Sequence, residues 1–517
     1  MKIKYFLSST LLISGFAILF SHTAFSQNNP ESKKTYSASY ESLANYTAPE
    51  WYEDAKLGFW VHWGVYSVPA FSGDHAAEWY GRWMYSLDGQ SENNRGFATH
   101  KHHVETYGDP SVFGYKDFIP MFKAEKFDAK QWADLFACGG AKFFCMMGVH
   151  HDNFAMWDSK FNRFNAMKMG PKRDLLGEVE KAVRAKGLKF GVSNHSGWNY
   201  EFFKFNTINN YDAKDTTFQD LYGNPVIDGT KARPSERDIR RWVARTNELC
   251  DKYKPDLYYF DWDINDKAFE MPRKDFAAHY YNKGVEWGGT FGNPGVVLNY
   301  KDKAFPLGTA VLDHERGGES AIPELVWQTD DCVYSGDNWG YVANAPVKAP
   351  NRLIDELVDI VSKRGVLMLS FGPRPDGTFP DDQVKLMLAI GNWLKVCGEA
   401  IYSTRPWTAF GEGPSVTNKS KKVVYTSEDI RFTRNKAKTV LYAILLEWPN
   451  GDITIKSLNS SSINKGNIKS ISLVGSKEKL KWSQDANGLT ILKPKNKPNY
   501  DYAYPVKIEF KNPISGI

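Results

Sequence analysis

The chain has 517 residues, 42% hydrophobic and 24% charged, so it is long enough for two or more cores and has the composition of a soluble globular protein. Its formal charge is +5, and removing Lys2 and Lys4 with a leader of residues 1–26 brings it to +3, with no basic run. That balance excludes nucleic acid as an expected partner.

The N-terminus reads as a secretory signal. Lys2 and Lys4 precede an apolar stretch, and Ala24-Phe25-Ser26 form a small-residue cleavage site before Gln27. Ser21, His22 and Thr23 interrupt the apolar run, which argues against a membrane span and for export to the periplasm or medium. Residues 27–44 are polar and rich in Ser and Lys, the composition of a flexible lead-in.

From residue 45 to 407 apolar runs alternate with amphipathic stretches. "LGFWVHWG" predicts a strand, and a helix follows from Asp128 to a stop at Gly139-Gly140. "AKFFCMMGV" is a strand, "RDLLGEVEKAVRAKG" a helix and "LKFGVSNH" a strand. Next come the helix "ERDIRRWVARTNELCDKY", the strand "DLYYFD", the helix "KDFAAHYYNKGVEW" and the strand "GVVLNYK". The helix "NRLIDELVDIVSKRG", the strand "VLMLSFGP" and the helix "DDQVKLMLAIGNWLKVCGEAIY" complete the series. Repeated strand–helix units imply parallel strands. No G-x-G-x-x-G follows the first strand, whereas polar residues recur at the ends of several strands, as on the rim of a (β/α)8-type barrel. Residues 408–517 change texture to short Val/Ile/Thr/Tyr runs between Asn, Gly and Lys, which predicts a C-terminal antiparallel β-sandwich.

Several groups carry chemistry. His62, His150, His151 and His195 lie at strand ends. Adjacent residues on a strand point to opposite faces and H-E-x-x-H is absent, so no metal is expected. Neutral imidazoles bonding to sugar hydroxyls, beside Trp63, Trp79 and Trp157 for stacking, fit better. "THKHH" (His100, His102, His103), in a Gly/Asn-rich insertion over 86–115, is expected to be a solvated loop. The carboxylates at strand ends or in loops are Glu78, Asp261, Asp263, Asp313, Glu315 and Glu319; glycoside hydrolysis needs two. Asp261 ends an apolar strand, a costly place for a carboxylate without a partner or a task. The five cysteines are scattered without a C-x-x-C pair, so neither a disulfide framework nor structural zinc is expected.

Motifs through nearly the whole mature chain resemble the α-L-fucosidases of glycoside hydrolase family 29. They include "KLGFWVHWGVYSVPAF", "EWYGRWMY", "HHDNFAMWDSKF", "YYFDWD", "DHERGG", "VWQTDDCVYSGDNWGY" and "LMLSFGPRPDGTFPDDQ", in that order. The resemblance implies a retaining exo-glycosidase that releases terminal α-L-fucose from glycans or glycoconjugates through a covalent intermediate, without a cofactor. It implies Asp261 as nucleophile and Glu315, rather than Glu319, as acid/base. His62, Glu78, Trp79, His150 and His151 match residues that hold the sugar. Where such enzymes often carry tyrosines this chain reads "GVSNHSGW", leaving the part to Asn194 or His195; Lys301 stands where many have an arginine. The insertions 86–115 and 205–236 are expected to shape the leaving-group side. The rival readings are a glycosidase for α-L-galactosides and a catalytically silent carbohydrate-binding protein.

Overall fold

A computed structural model describes residues 34–224, 232–417 and 423–515. The expected signal peptide therefore lies outside the described residues. Of the expected lead-in, the described end packs down: Tyr36 and Leu43 are buried and Ser39 caps a short helix, Tyr40–Leu43, so residues 36–43 are anchored.

Eight strands close a parallel barrel in sequence order: β1 (Leu57–Val61), β2 (Phe143–Val149), β3 (Lys189–Asn194), β4 (Leu257–Phe260), β5 (Val297–Lys301), β6 (Val311–Glu315), β7 (Trp327–Cys332) and β8 (Gly365–Phe371). Helices cross over between β1 and β2 (Ala129–Cys138), β2 and β3 (Leu175–Ala185), β3 and β4 (Glu236–Tyr253), β4 and β5 (Glu270–Glu286), and β7 and β8 (Pro350–Ser362). The alternation is incomplete. Residues 302–310 and 316–326, on either side of β6, run as short loops with no helix, because a crossover helix with its turns needs a dozen or more residues.

Local sequence accounts for the helix ends. Asp128 accepts hydrogen bonds from the amides of Lys130 and Gln131, Asp174 from that of Gly177, and Ser235 forms a capping box with Asp238. Each such cap is worth about 1 kcal/mol. Pro350 opens its helix at N1, where its missing N–H is not needed. The apolar faces of these helices pack on strands whose outward residues are themselves buried, such as Phe144 against Phe136 with ring centroids 4.3 Å apart. Such all-round burial is what gives the strands their continuous apolar runs.

The C-terminal part holds a five-stranded antiparallel sheet, in the order Ile468–Leu473, Tyr504–Phe510, Val440–Leu445, Ile430–Arg434, Gly411–Glu412, and a three-stranded one, in the order Ile453–Ile455, Gly488–Ile491, Trp482–Asp485. Phe432, Leu441, Ile455, Leu489, Val506 and Ile508 form its separate core. Arg431 pairs with Asp359 at 2.6 Å, and the indole of Trp393 donates to the carbonyl of Ala503 at 2.8 Å, tying this part to the barrel. Among the described residues no helix is long and apolar enough to cross a membrane. All five cysteines are free thiols; four are buried and Cys138 is exposed.

The "THKHH" expectation is corrected. These histidines lie on a helix, Phe97–Tyr107. His103 is buried, bonded to Tyr80 Oη at 3.0 Å and to the carbonyl of Phe113 at 2.9 Å, and His102 stacks on Phe71.

Candidate active site

Side chains two apart on a strand share a face, so each barrel strand contributes to layers in the interior. One layer contains Tyr259, Asn299, Asp313 and Gln328. Gln328 Nε2 donates to Asp313 Oδ1 at 2.7 Å, Tyr259 Oη lies 3.2 Å from Asp313 Oδ2, and Asn299 donates to Tyr52 Oη at 3.3 Å. Two residues on, at the C-terminal ends, stand Asp261, Lys301, Glu315 and Asp330. With Trp60, His62, Glu78, Trp79, His150, His151 and His195 they line a cavity of about 250 Å³. Asp261, Glu315, His62, Glu78, Trp79, His150, His151 and Lys301, which the sequence assigned to the site, all line it. Of the two left open after β3, His195 lines the cavity, while Asn194 donates to Thr246 Oγ1 at 2.9 Å and accepts from the amide of Ser196 at 3.0 Å.

The centre of the site is one ammonium among three carboxylates. Lys301 Nζ lies 3.1 Å from Asp261 Oδ1, 3.0 Å from Glu315 Oε2 and 3.2 Å from Asp330 Oδ2. Burial raises the Asp261 carboxyl, but the Lys301 ammonium outweighs it and holds the group below the usual carboxylate range. Burial also raises Glu315; Lys301 opposes that and the charges of Asp330 and Asp261 reinforce it, leaving Glu315 above its ordinary value. One carboxyl favours the ionised form and its neighbour the protonated form, the division that acid/base and nucleophilic roles require.

The imidazoles are neutral. Burial holds His62, His150 and His195 well below the ordinary histidine range, with Lys301 adding to the effect on His62 and His195, and burial brings His151 down to about 4. His151 Nδ1 must donate to the carbonyl of His195, 2.7 Å away, which leaves Nε2 as an acceptor 3.7 Å from Asp261 Oδ2. Glu78 accepts from the amides of Trp339 and Gly340 at 3.2 and 3.1 Å, and burial pushes its carboxyl up to about 7. Gly372 lets the 339–341 backbone lie on the end of β8: a Cβ there would sit 2.6 Å from the amide of Tyr341.

Several buried polar atoms around the cavity have no hydrogen-bond partner among the described residues: Glu78 Oε1, His150 Nδ1 and both ring nitrogens of His195. Each orphan costs on the order of 1–3 kcal/mol unless a bound group satisfies it. His150, His151 and His195 also present ligand atoms within 4.8 Å of one another, a spacing that would admit a metal ion.

Other expectations are corrected here. Trp63 packs against Phe122, Phe127 and Trp132 and donates to the carbonyl of Arg374, and Trp157 donates to Glu248; neither faces the cavity. Trp60, Trp262 and Trp339 stand there beside Trp79. Asp263 is buried and accepts from the amide of Gly197 at 2.6 Å, bracing the chain after β3. Glu319 pairs with His314 at 2.9 Å. Neither the 86–115 insertion nor the described part of 205–236 lines the cavity, and residues 225–231 lie outside the described residues; His75, Trp262, Arg316, Asp337 and Trp339 wall it instead. A cleft of about 1000 Å³ at the N-terminal ends of β3 to β5 is larger. Its Asp256 is tied to Arg184 and Lys189 at 2.8 Å each and Glu180 to Arg184 at 2.6 Å, so these carboxylates are held in ion pairs.

A family model described as alpha-L-fucosidase matches residues 23–399, and one described as the alpha-L-fucosidase C-terminal domain matches residues 424–509. Tissue alpha-L-fucosidase of Rattus norvegicus is 30% identical over 513 residues, covering 95% of each chain. Plasma alpha-L-fucosidase of Homo sapiens is 28% identical over 477 residues, covering 89% of this chain and 88% of its own. Among solved structures, Thermotoga maritima alpha-fucosidase superposes with a TM-score of 0.71 at 30% identity, covering 92% of this chain and 100% of the other. The same enzyme in complex with a mechanism-based inhibitor gives 0.72 at 28% identity, with the same coverage.

Proposed function

This chain belongs to the α-L-fucosidase family of glycoside hydrolases, and from that premise we propose that it is a retaining, exo-acting hydrolase of terminal α-L-fucosides. Asp261 attacks the anomeric carbon while Glu315 protonates the departing glycosidic oxygen. The bond to the aglycone breaks as the bond to the Asp261 carboxylate forms. Glu315, now ionised, takes a proton from water, which attacks the same carbon and releases Asp261. Lys301 keeps Asp261 ionised for attack.

The observation that carries this reading is the bridge made by Lys301. Two carboxyl oxygens held 3.1 and 3.0 Å from one Nζ are at most about 6 Å apart. That supports the short spacing of a retaining pair, about 5–5.5 Å, over the roughly 6.5–9.5 Å of an inverting one. The cavity, of about 250 Å³, has room for one terminal sugar, which supports exo action. Its unpartnered imidazole and carboxylate atoms match a ligand rich in hydroxyls, and Trp60, Trp79, Trp262 and Trp339 offer rings to its apolar faces. A silent carbohydrate-binding protein would have no use for two carboxyls biased to opposite protonation states.

Proton NMR during hydrolysis of an aryl α-L-fucoside tests the proposal: α-L-fucose should appear first, and β-L-fucose first would overturn retention. Export is part of the same proposal and rests on residues 1–26. Protein recovered from the periplasm or medium should begin at Gln27; an uncleaved chain would contradict it.

A further inference from the structure

Asp330 enters the site from β7, is fully buried, and meets Asp261 and Glu315 at the shared Lys301 ammonium. Its Oδ2 lies 3.2 Å from Lys301 Nζ and accepts from Tyr259 Oη at 2.9 Å. We infer that Asp330 is a positioning residue: it anchors Lys301 from beneath and keeps a surplus negative charge beside Glu315, so that Glu315 holds its proton until the leaving oxygen takes it. This inference rests on the roles proposed for Asp261 and Glu315.

The argument is one of charge balance. Lys301 brings one positive charge, and ionised Asp261 matches it. Asp330 adds a second negative charge on the same Nζ, so ionising Glu315 would add a third. The oxygens of Glu315 and Asp330 are 3.0 and 3.2 Å from that nitrogen and so at most about 6 Å apart, the separation over which a like charge raises a carboxyl pKa. Behind Asp330 stands Asp313, which burial and then the Asp330 charge hold well above the usual carboxylate range. Asp313 therefore favours its protonated form beside Asp330. The charged and titratable groups facing this cluster are Tyr259 and Asp261 from β4, Lys301 from β5, Asp313 and Glu315 from β6, Arg316 just after β6, whose charge is met by Asp331 and Asp337, and the neutral His62 and His195 beyond β1 and β3. A purely structural Asp330 would brace Tyr259 and the barrel wall, and its loss would lower stability without moving a titration.

The test is the pH profile of kcat/KM on an aryl α-L-fucoside with a poor leaving group. The parent should give a bell whose basic limb disappears in Glu315→Gln. Asp313→Asn replaces a protonated acid with a neutral amide and should leave that limb in place. Asp330→Asn should move it to lower pH, and because Asp313 can take up the vacated charge, the double Asn variant should move it at least as far, by about one unit. A basic limb that survives Glu315→Gln removes the underlying reading and this inference with it. A limb lost in Glu315→Gln but unmoved in the folded double variant overturns the inference alone. Should the double variant not fold, Asp330→Asn against Asp330→Glu decides: the amide must shift the limb and the longer carboxylate must return it toward the parental pH, and a limb shared by both overturns the inference.

Discussion

Lys301 Nζ stands 3.1 Å from Asp261 Oδ1 in the barrel interior, with both side chains almost wholly buried. Asp261 ends an apolar strand because this ammonium waits for it on the neighbouring one. Removing the charge should release the effect of burial. In Lys301→Met the Asp261 pKa rises, so the acid limb of kcat/KM moves to higher pH, and kcat should fall on the order of 10²-fold. Lys301→Arg keeps the charge and should keep the limb. An acid limb unmoved in Lys301→Met would show that another group titrates there.

Asp261→Gly should lose about 10³-fold or more in kcat, and azide should partly restore turnover by taking the vacated place on the anomeric carbon. One displacement inverts, so the product should be β-L-fucosyl azide. Asp263→Gly should show no rescue, because its carboxylate accepts from Gly197 and is committed to the chain after β3. Rescue in Asp263→Gly instead would exchange the two roles.

The barrel was legible in the sequence wherever strands are apolar on both faces, and the site wherever an imidazole or carboxylate ends such a strand. β7, "WQTDDC", was not read as a strand. Its inward Gln328 is bonded to Asp313 on the neighbouring strand and Asp330 to Tyr259 across the barrel, so burial there left no apolar signature. Asp330 was missed with it. The helix Phe97–Tyr107 was hidden by its polar composition, and its buried His103 is satisfied by Tyr80 and Phe113, partners that no local pattern announces. Trp63 and Trp157 illustrate the converse. Both sit beside site histidines in sequence, yet the chain turns them into the core. Which tryptophan faces a cavity is decided by backbone geometry after the strand ends, where period-2 reasoning stops.

Glu315→Ala should flatten the basic limb and cost far more on natural fucosides than on activated aryl fucosides, whose leaving groups need little protonation. Glu319→Ala should lose no more than its pairing with His314, a partly exposed contact worth under about 1 kcal/mol. Equal losses of Glu315→Ala on both substrate types would move the acid/base role elsewhere.

Glu78 carries a stability cost with a definite sign. Burial raises its carboxyl from 4.5 to about 7 in the folded chain. The fold therefore loses stability as pH climbs from about 4.5 to about 7 and stays lower above that, by roughly 3 kcal/mol. Glu78→Gln can keep an oxygen facing the amides of Trp339 and Gly340 while shedding the ionisation. It should melt above the parent at pH 8 and close to it at pH 4.5, with weaker substrate binding as the accompanying loss. A melting gap that is the same at both pH values would contradict the assignment.

The central claim is that Asp261 forms a covalent bond to the sugar, and trapping that bond tests it most directly. A fucosyl donor with fluorine at C2 and a good leaving group slows both steps but favours formation of the intermediate over its hydrolysis. Intact mass should rise by one fluorofucosyl unit, and peptide mapping should place the adduct on Asp261 in "YYFDWD". An adduct on Glu315 or Asp263, or inactivation without any adduct, would contradict the account.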